Sequence, residues 1–391
     1  MKNINSSGKN QKYDIFYMST KGRRLKKFKR TRRIINIVGS IVLVVSVLAT
    51  VMLGTGFVIA NKKLVGFGAG ETESGDFESL TVSKHSGVSY ILVCGVDVEE
   101  SLTDIMAVAC IDHEKNTVNF LQIPRDTYIG TDIPSSKLNA VYSNPKAGEL
   151  RINALRRRLA SYFGIPIDHY VLFTIKGFRS VVDALGGLEV NITQEDGISI
   201  ENQDTYEHYV IGPGLVTLDG NAAAGFVRKR YGYDKVLDKQ DEGYEKGDPS
   251  RLEAQRLIYV ALAKKLQKMS LSQMAKIATN CYDQISTDMS FNDILGYAKE
   301  IKSVPFESMK ILGLPGQAID DYKGASFYSI HKADYVKAFN ENFNPYGEQL
   351  KVDDIKIKEL HTQIGIATTG SWLDQDGEGK SIADIETENN Q

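Results

Sequence analysis

Four short runs hold residue types that bind or activate phosphate, and each falls where a regular element is expected to begin or end. The first is Gly95-Val96-Asp97 with Asp104 shortly after. Asp97 closes an apolar strand and Asp104 opens the next, so a short loop between antiparallel strands brings both carboxylates to one sheet edge. Two hard oxygen ligands without His or Cys suit Mg²⁺ shared with a phosphate; the same spacing also suits two solvated turn aspartates. The second run is Ile123-Pro124-Arg125-Asp126-Thr127. Pro124 ends a strand and presents Arg125 at its tip, where a guanidinium binds phosphate bidentately. Asp126 either orients Arg125 or serves as a base. Lys137 and Asn139 add a point charge and an amide. In isolation this run reads equally as a surface turn with an ion pair.

The third run is Phe226-Val227-Arg228-Lys229-Arg230-Tyr231. Arginines two apart share a side only in extended chain, so the preceding helix is expected to stop near Val227. The alternative is a cationic helix end that complements the macrodipole. The fourth is Asp248-Pro249-Ser250-Arg251 with Gln255. Arg251 and Gln255 are four apart and share a helix face. In the first turns they stand beside free N–H groups and the positive dipole end, a natural phosphate seat; a solvated face is the alternative. Taken together, four arginines, a lysine, an amide and two or more carboxylates at element ends make a pocket for a pyrophosphate. Its leaving phosphate would be stabilised electrostatically.

The elements that must position these residues follow from periodicity and punctuation. β-rich runs are expected at Ser89–Val96, Ile105–Ile111, Thr117–Ile123, His169–Thr174 and Leu188–Ile192. Helical spacing predicts helices over Glu149–Phe163, before Gly164, and Lys176–Leu185, closed by Gly186-Gly187. Asp219 caps Gly220–Val227, and Asp248 with Pro249 starts the helix Pro249–Lys268. Ser290 and Asp293 resemble a capping box. Alternating strands and helices indicate an α/β sheet covered on its faces. Tyr231–Gly247 is polar and reads as a mobile loop. Residues 346–391, rich in Asp and Glu, read as a disordered or solvated tail.

Charge is distributed unevenly. Of 47 Lys/Arg and 49 Asp/Glu, residues 1–33 hold 12 and one, leaving 35 against 48 in the rest of the chain. Between the basic head and the acidic body lies Ile34–Ala60, uncharged throughout. At about 1.5 Å per residue it exceeds a hydrocarbon core of roughly 30 Å. It is expected to be a single transmembrane helix with the basic end in the cytoplasm. Residues 61–87 then form a linker and 88–345 an extracytoplasmic domain. A nucleic-acid arm is disfavoured, because Phe28 is the only aromatic within the basic run Lys21–Arg33. Three cysteines, Cys94, Cys110 and Cys281, with no short spacing argue against a disulfide framework or a zinc site.

The motifs resemble those of the LytR-CpsA-Psr family of Gram-positive envelope proteins. The matching residues are Ile91–Asp97, Thr103-Asp104, Ile123–Thr127, Lys137–Asn139, Val182–Gly187, Leu218–Gly220, Val227–Arg230 and Asp248/Arg251/Gln255, in the family's order. The resemblance implies an αβα sandwich with an apolar tunnel for a polyprenyl chain. It implies transfer of a glycan 1-phosphate from undecaprenyl pyrophosphate to a peptidoglycan hydroxyl. The glycan would be capsular polysaccharide, wall teichoic acid or a related polymer. By matched position, Asp97 and Asp104 would hold Mg²⁺. Arg125, Lys137, Arg228, Arg230, Arg251 and Gln255 would hold the pyrophosphate, with Arg125, Asp126, Arg228 and Arg230 as the catalytic candidates. Two departures stand out: the loop Val98–Thr103 is short and carries Glu99 and Glu100, and Ala254 stands where the family often has Arg. A non-catalytic regulator that binds the lipid precursor, and a polyprenyl-pyrophosphate hydrolase, are the alternative readings.

Overall fold

A computed structural model of the chain describes residues 87–96, 102–202, 204–229, 233–234, 239–240, 248–270, 272–273, 276–277, 285–290, 293, 297, 300–369 and 380–389. The basic head, the apolar run Ile34–Ala60, the linker up to residue 86, Asp97, Arg230 and Cys281 lie outside the described residues. Among the described residues, no helix is long and apolar enough to cross a membrane.

The expected strands are present as β1 (Val88–Val96), β2 (Thr103–Asp112), β3 (Thr117–Ile123), β4 (His169–Thr174) and β5 (Leu188–Ile192). Three short strands follow, β6 (Ile198–Glu201), β7 (His208–Ile211) and β8 (Gly214–Leu218). Next come β9 (Tyr233–Asp234), which pairs with β10 (Lys239–Gln240), and β11 (Ile285–Thr287). The last are β12 (Met309–Gly313), β13 (Gly316–Tyr322), β14 (Ala325–Ile330) and β15 (Lys380–Ser381). A seven-stranded sheet runs β11-β4-β1-β2-β3-β12-β15. Strands β1, β2 and β3 form an antiparallel meander, while β4 lies parallel to β1 and β12 parallel to β3.

The helices cover both faces of this mixed sheet, because successive side chains of a strand point to opposite sides. Ile91 and Val93 of β1 enter one core with α2 (Ile175–Ala184), α3 (Gly220–Phe226) and α4 (Asp248–Lys268). Tyr90, Leu92 and Cys94 enter the other with α1 (Arg151–Phe163) and α5 (Lys332–Asn342). The result is an α/β fold in three layers. Helix α1 stops where Gly164 takes φ 71°, and α3 starts where Asp219 accepts a hydrogen bond from the Ala222 N–H. Ser290 and Asp293 exchange the two reciprocal bonds of a capping box. Cys94 and Cys110 are buried free thiols.

The reading of residues 346–391 as a disordered or solvated tail is corrected over the described residues 346–369 and 380–389. Leu350, Ile355, Ile357 and Leu360 are buried, the last within α6 (Leu360–Gln363). Strand β15 pairs with β12, and α7 (Ile382–Asn389) buries Ile382 and Ile385 in the core that holds α4. Asp384 and Glu388 face solvent on the same helix. Segment-average acidity conceals an apolar stripe with helical spacing, and the stripe decides the outcome.

Candidate functional site

The carboxyl ends of β1, β3, β4 and β12 and the amino end of β2 meet at one edge of the sheet. Ligands of open α/β sheets bind beyond such carboxyl ends. Asp104, at the start of β2, is buried, with one oxygen 2.6 Å from the Arg125 guanidinium. Its other oxygen, Oδ2, has no hydrogen-bond partner among the described residues. Arg125 Nε also lies 3.4 Å from Asp126, whose second oxygen is 2.9 Å from Lys137 Nζ. Asp104, Arg125, Asp126 and Lys137 thus form a chain of alternating charge. Burial pushes the Asp126 pKa up, but Arg125, Lys137 and Arg251 outweigh it and hold the carboxyl below its ordinary value.

Local hydrogen bonding explains how Asp126 and Lys137, eleven residues apart, come together. Pro124 ends β3, and the Thr127 hydroxyl closes the turn onto its carbonyl at 2.6 Å. Tyr128 then forms an isolated antiparallel bridge with Lys137. Leu138 N–H donates to Thr127 O at 2.9 Å and Asn139 N–H to Arg125 O at 3.1 Å. This zipper returns Lys137 to Asp126 and seats its ammonium 5.3 Å from the Phe327 ring centre. Asn139 is buried, and its carbonyl accepts from the Thr103 hydroxyl at 3.4 Å. The second run is therefore a built, mostly buried cluster and not a surface turn.

Arg251 and Gln255, in the first turns of α4, are each 1% exposed, which excludes the solvated-face alternative. Gln122 near the end of β3 donates to Gln255 Oε1 and to Leu252 O, both at 3.1 Å. Arg256 donates to Gln122 Oε1 at 3.2 Å. Gln255 Nε2 is left without a partner among the described residues. Gln122 and Arg256 escaped the sequence reading. The signal for Gln122 was an amide on the face otherwise formed by Val118 and Phe120; Arg256 had none. Ala254 is packed in the core, so the arginine that joins this network comes from two positions later. Arg228 follows α3, which ends at Phe226 with Val227 as its C-cap, one residue from the expected end. The shared side expected for Arg228 and Arg230 falls outside the described residues.

Two other motif segments serve the fold. Asp183 accepts from Gly220 N–H at 2.7 Å, and a Cβ at Gly220 would meet Arg179 O at 2.3 Å. These contacts lock α2 against α3. Among the described residues, no group of three or more His, Cys, Asp or Glu could hold a metal. A buried carboxylate with one uncommitted oxygen, as at Asp104, fits a single ligand of a cation shared with other donors.

Comparison with known proteins adds the decisive observation: residues 61–344 match the LytR_cpsA_psr family. The chain belongs to the LytR-CpsA-Psr family. Similar curated proteins include the polyisoprenyl-teichoic acid–peptidoglycan teichoic acid transferase TagU of Enterococcus faecalis. It is 29% identical over 245 residues, covering 58% of this chain and 72% of the relative. TagU of Bacillus cereus is 26% identical over 271 residues, covering 67% and 80%. Among solved structures, protein gbs0355 from Streptococcus agalactiae has a TM-score of 0.56 at 20% identity, covering 71% of this chain and 94% of that one. TagT bound to LIIa-WTA has a TM-score of 0.53 at 20% identity, covering 67% and 92%. The three-layer arrangement around a mixed sheet is thus the fold of this LytR-CpsA-Psr domain.

Proposed function

We propose that this LytR-CpsA-Psr protein is a phosphotransferase that moves a glycan 1-phosphate from a polyprenyl pyrophosphate to a peptidoglycan hydroxyl. The observation that carries the reading is the convergence of Asp104, Arg125, Asp126 and Lys137 at the edge of β1–β3, with Arg251 and Gln255 buried in the first turns of α4. The transferase names of the TagU relatives support it. The polymer is a teichoic acid, a capsular polysaccharide or a related glycan.

In the reaction, the acceptor oxygen attacks the phosphorus that bears the glycan, and its hydroxyl proton passes to the departing phosphate. A new P–O bond forms, the anhydride P–O bond breaks, and polyprenyl phosphate leaves with its charge stabilised by fixed cations. Arg125, Arg228, Arg230 and Arg251 bind and orient the pyrophosphate, with Lys137 as a point charge and Gln255 as an amide donor. Asp126 holds Arg125 and Lys137 in place. A carboxylate kept ionised by two cations is a weak base, so orientation is the role its surroundings favour. Asp104 together with Asp97 would hold Mg²⁺, which would neutralise phosphate charge. The apolar run Ile34–Ala60 anchors the chain in the cell membrane of a Gram-positive bacterium, with the N-terminus cytoplasmic and the domain outside.

The test incubates the full chain, in vesicles, with polyprenyl-pyrophosphate-linked sugar, Mg²⁺ and peptidoglycan fragments, and reads products by mass spectrometry. A phosphodiester-linked sugar–peptidoglycan product, lost in Arg228→Ala, is expected. Phosphate release without attachment would make the protein a hydrolase. Tight lipid binding without turnover would make it a regulator.

A further inference from the structure

The segment that follows the family match at residue 344 docks against the loop that carries Asp126. Strands β13 and β14 form a hairpin in which Gln317 pairs with Ser329 and Ala318 with Tyr328. Tyr328 brackets the site loop with its backbone: its N–H donates to Asp126 O, and its carbonyl accepts from Tyr128 N–H, both at 2.9 Å. The chain from about residue 350 to 369 meets this hairpin through Leu360, His361, Ala367 and Thr369. Its Leu360, fully buried, packs with Tyr128, Ile319 and Phe327 in a small separate core.

Beside that core is a buried polar network. His361 Nδ1 lies 2.7 Å from Ser329 Oγ, which also accepts from His361 N–H at 3.1 Å. The serine hydrogen is therefore available to Nδ1, and His361 Nε2–H faces the Thr368 hydroxyl at 3.3 Å. His331 Nε2 is 2.8 Å from Gln317 Oε1, which also accepts from Thr369 N–H at 2.8 Å, while Gln317 Nε2 donates to Ala367 O at 3.2 Å. The tautomers follow from this network. Ser329, His361, His331 and Gln317 are each at most 3% exposed, and the imidazole centres are 5.2 Å apart. On its other side His331 Nδ1 lies 3.5 Å from Asp334 Oδ2, and a buried network whose members are paired is rigid.

We infer that residues 350–369 are a clamp that positions the Asp126–Lys137 loop, with Leu360, Ser329 and the His331–His361 pair as positioning residues for the proposed transfer. Ser329 directly follows Tyr328 in β14, and Leu360 touches Tyr128, two residues after Asp126. Loosening the segment releases both supports of the turn that holds Arg125, Asp126 and Lys137 together. The groups facing His331 are His361 on α6, Asp334 on α5 and Glu359 just before α6. Burial first, and His361 second, depress the His331 pKa, against the opposing pull of Asp334 and Glu359. A histidine depressed in the fold contributes stability that is present above its ordinary value near 6.5 and lost as pH falls below it. The clamp is therefore closed at neutral pH and weakened in mild acid.

The role in turnover rests on the proposed transfer, whereas the coupling to the loop does not, and two measurements separate them. Hydrogen exchange by mass spectrometry on the full chain reports the amides of residues 126–139 directly, with β1 as internal reference. Leu360→Ala and Ser329→Ala are expected to speed exchange at 126–139 about tenfold while β1 stays protected. His331→Gln keeps a donor for Gln317 but does not titrate. It should abolish the rise in exchange that the natural chain shows between pH 7.5 and 5.5, after correction for intrinsic rates. Unchanged exchange at 126–139 in Ser329→Ala and Leu360→Ala, or an acid response that persists in His331→Gln, overturns the clamp. In the transfer assay, Ser329→Ala should lower kcat about tenfold with KM little changed. A loosened loop with undiminished kcat would overturn the positioning role, whereas loss of transfer in the natural chain would refute the proposed function and leave the clamp standing.

Discussion

Two charged clusters sit at opposite edges of the same sheet, one buried and one part-exposed, and they differ in what their carboxylates leave over. At the edge away from the site, Arg156 reaches Asp288 at 3.0 Å and the carbonyls of Ile167 and Asp168 at 3.1 and 2.8 Å. Asp288 spends its other oxygen on the Tyr170 N–H at 3.0 Å. That cluster ties α1 and β11 to the start of β4, with both carboxylate oxygens engaged. At the site edge, Asp104 commits one oxygen to Arg125 and keeps the other uncommitted, and Gln255 keeps its amide nitrogen, among the described residues. Buried polar groups are normally satisfied. A carboxylate with both oxygens engaged is a strut, whereas a buried one with an oxygen in reserve at strand carboxyl ends has the form of a binding site.

The comparison can be broken most severely at Arg125. Arg125→Ala, in protein verified as folded by circular dichroism, is expected to cut transfer about 10³-fold, some 4 kcal/mol of transition-state stabilisation. Transfer near the natural rate would demote this cluster to a second strut. Arg156→Ala should behave in the opposite way. It removes three charge-assisted hydrogen bonds at a part-exposed site and costs about 2–3 kcal/mol in urea unfolding, while turnover per folded molecule stays unchanged. Collapse of turnover in that variant would erase the distinction between the edges.

A smaller effect sharpens the account of the chain's end. Ile382→Ala should destabilise by about 2 kcal/mol through a cavity under α7; an unaltered unfolding midpoint would return residues 380–389 to a solvated tail. The weakest effect expected is on the acid limb of the stability curve. Burial raises the Asp288 pKa, but His169, the Tyr170 N–H and Arg156 together hold it below its ordinary value. Its contribution is then present above about pH 4 and lost as pH falls through the folded value. Asp288→Asn should flatten that limb, and an unchanged acid limb would show that the strut's charge does not govern it.

Much of the scaffold was legible because its signals are local. The predicted and observed bounds of β3, β4 and β5 coincide, and those of α1 and α2 differ by no more than two residues. The caps at Asp219 and Ser290 are short-range chemistry and were readable for the same reason. Candidate charges were legible at element ends and were expected to share one pocket, but their pairwise contacts were not legible. Asp104 and Arg125, the Gln122–Gln255 contact and the Ser329–His361 contact join positions 21, 133 and 32 apart, and periodicity carries no information at that range. The C-terminal segment was misread because composition averages over a helix whose two faces differ.

The amino-acid sequence by itself determined which segments pair and pack: strand alternation, helix stripes, caps and breakers are written within a few residues of where they act. It also determined the chemical types available at the ends of those segments. Only the tertiary structure decided which charges would be neutralised and which kept in reserve. Desolvation and Coulomb attraction depend on what the fold places alongside each group, and for Asp104, Gln255 and His331 those neighbours lie far away in the chain.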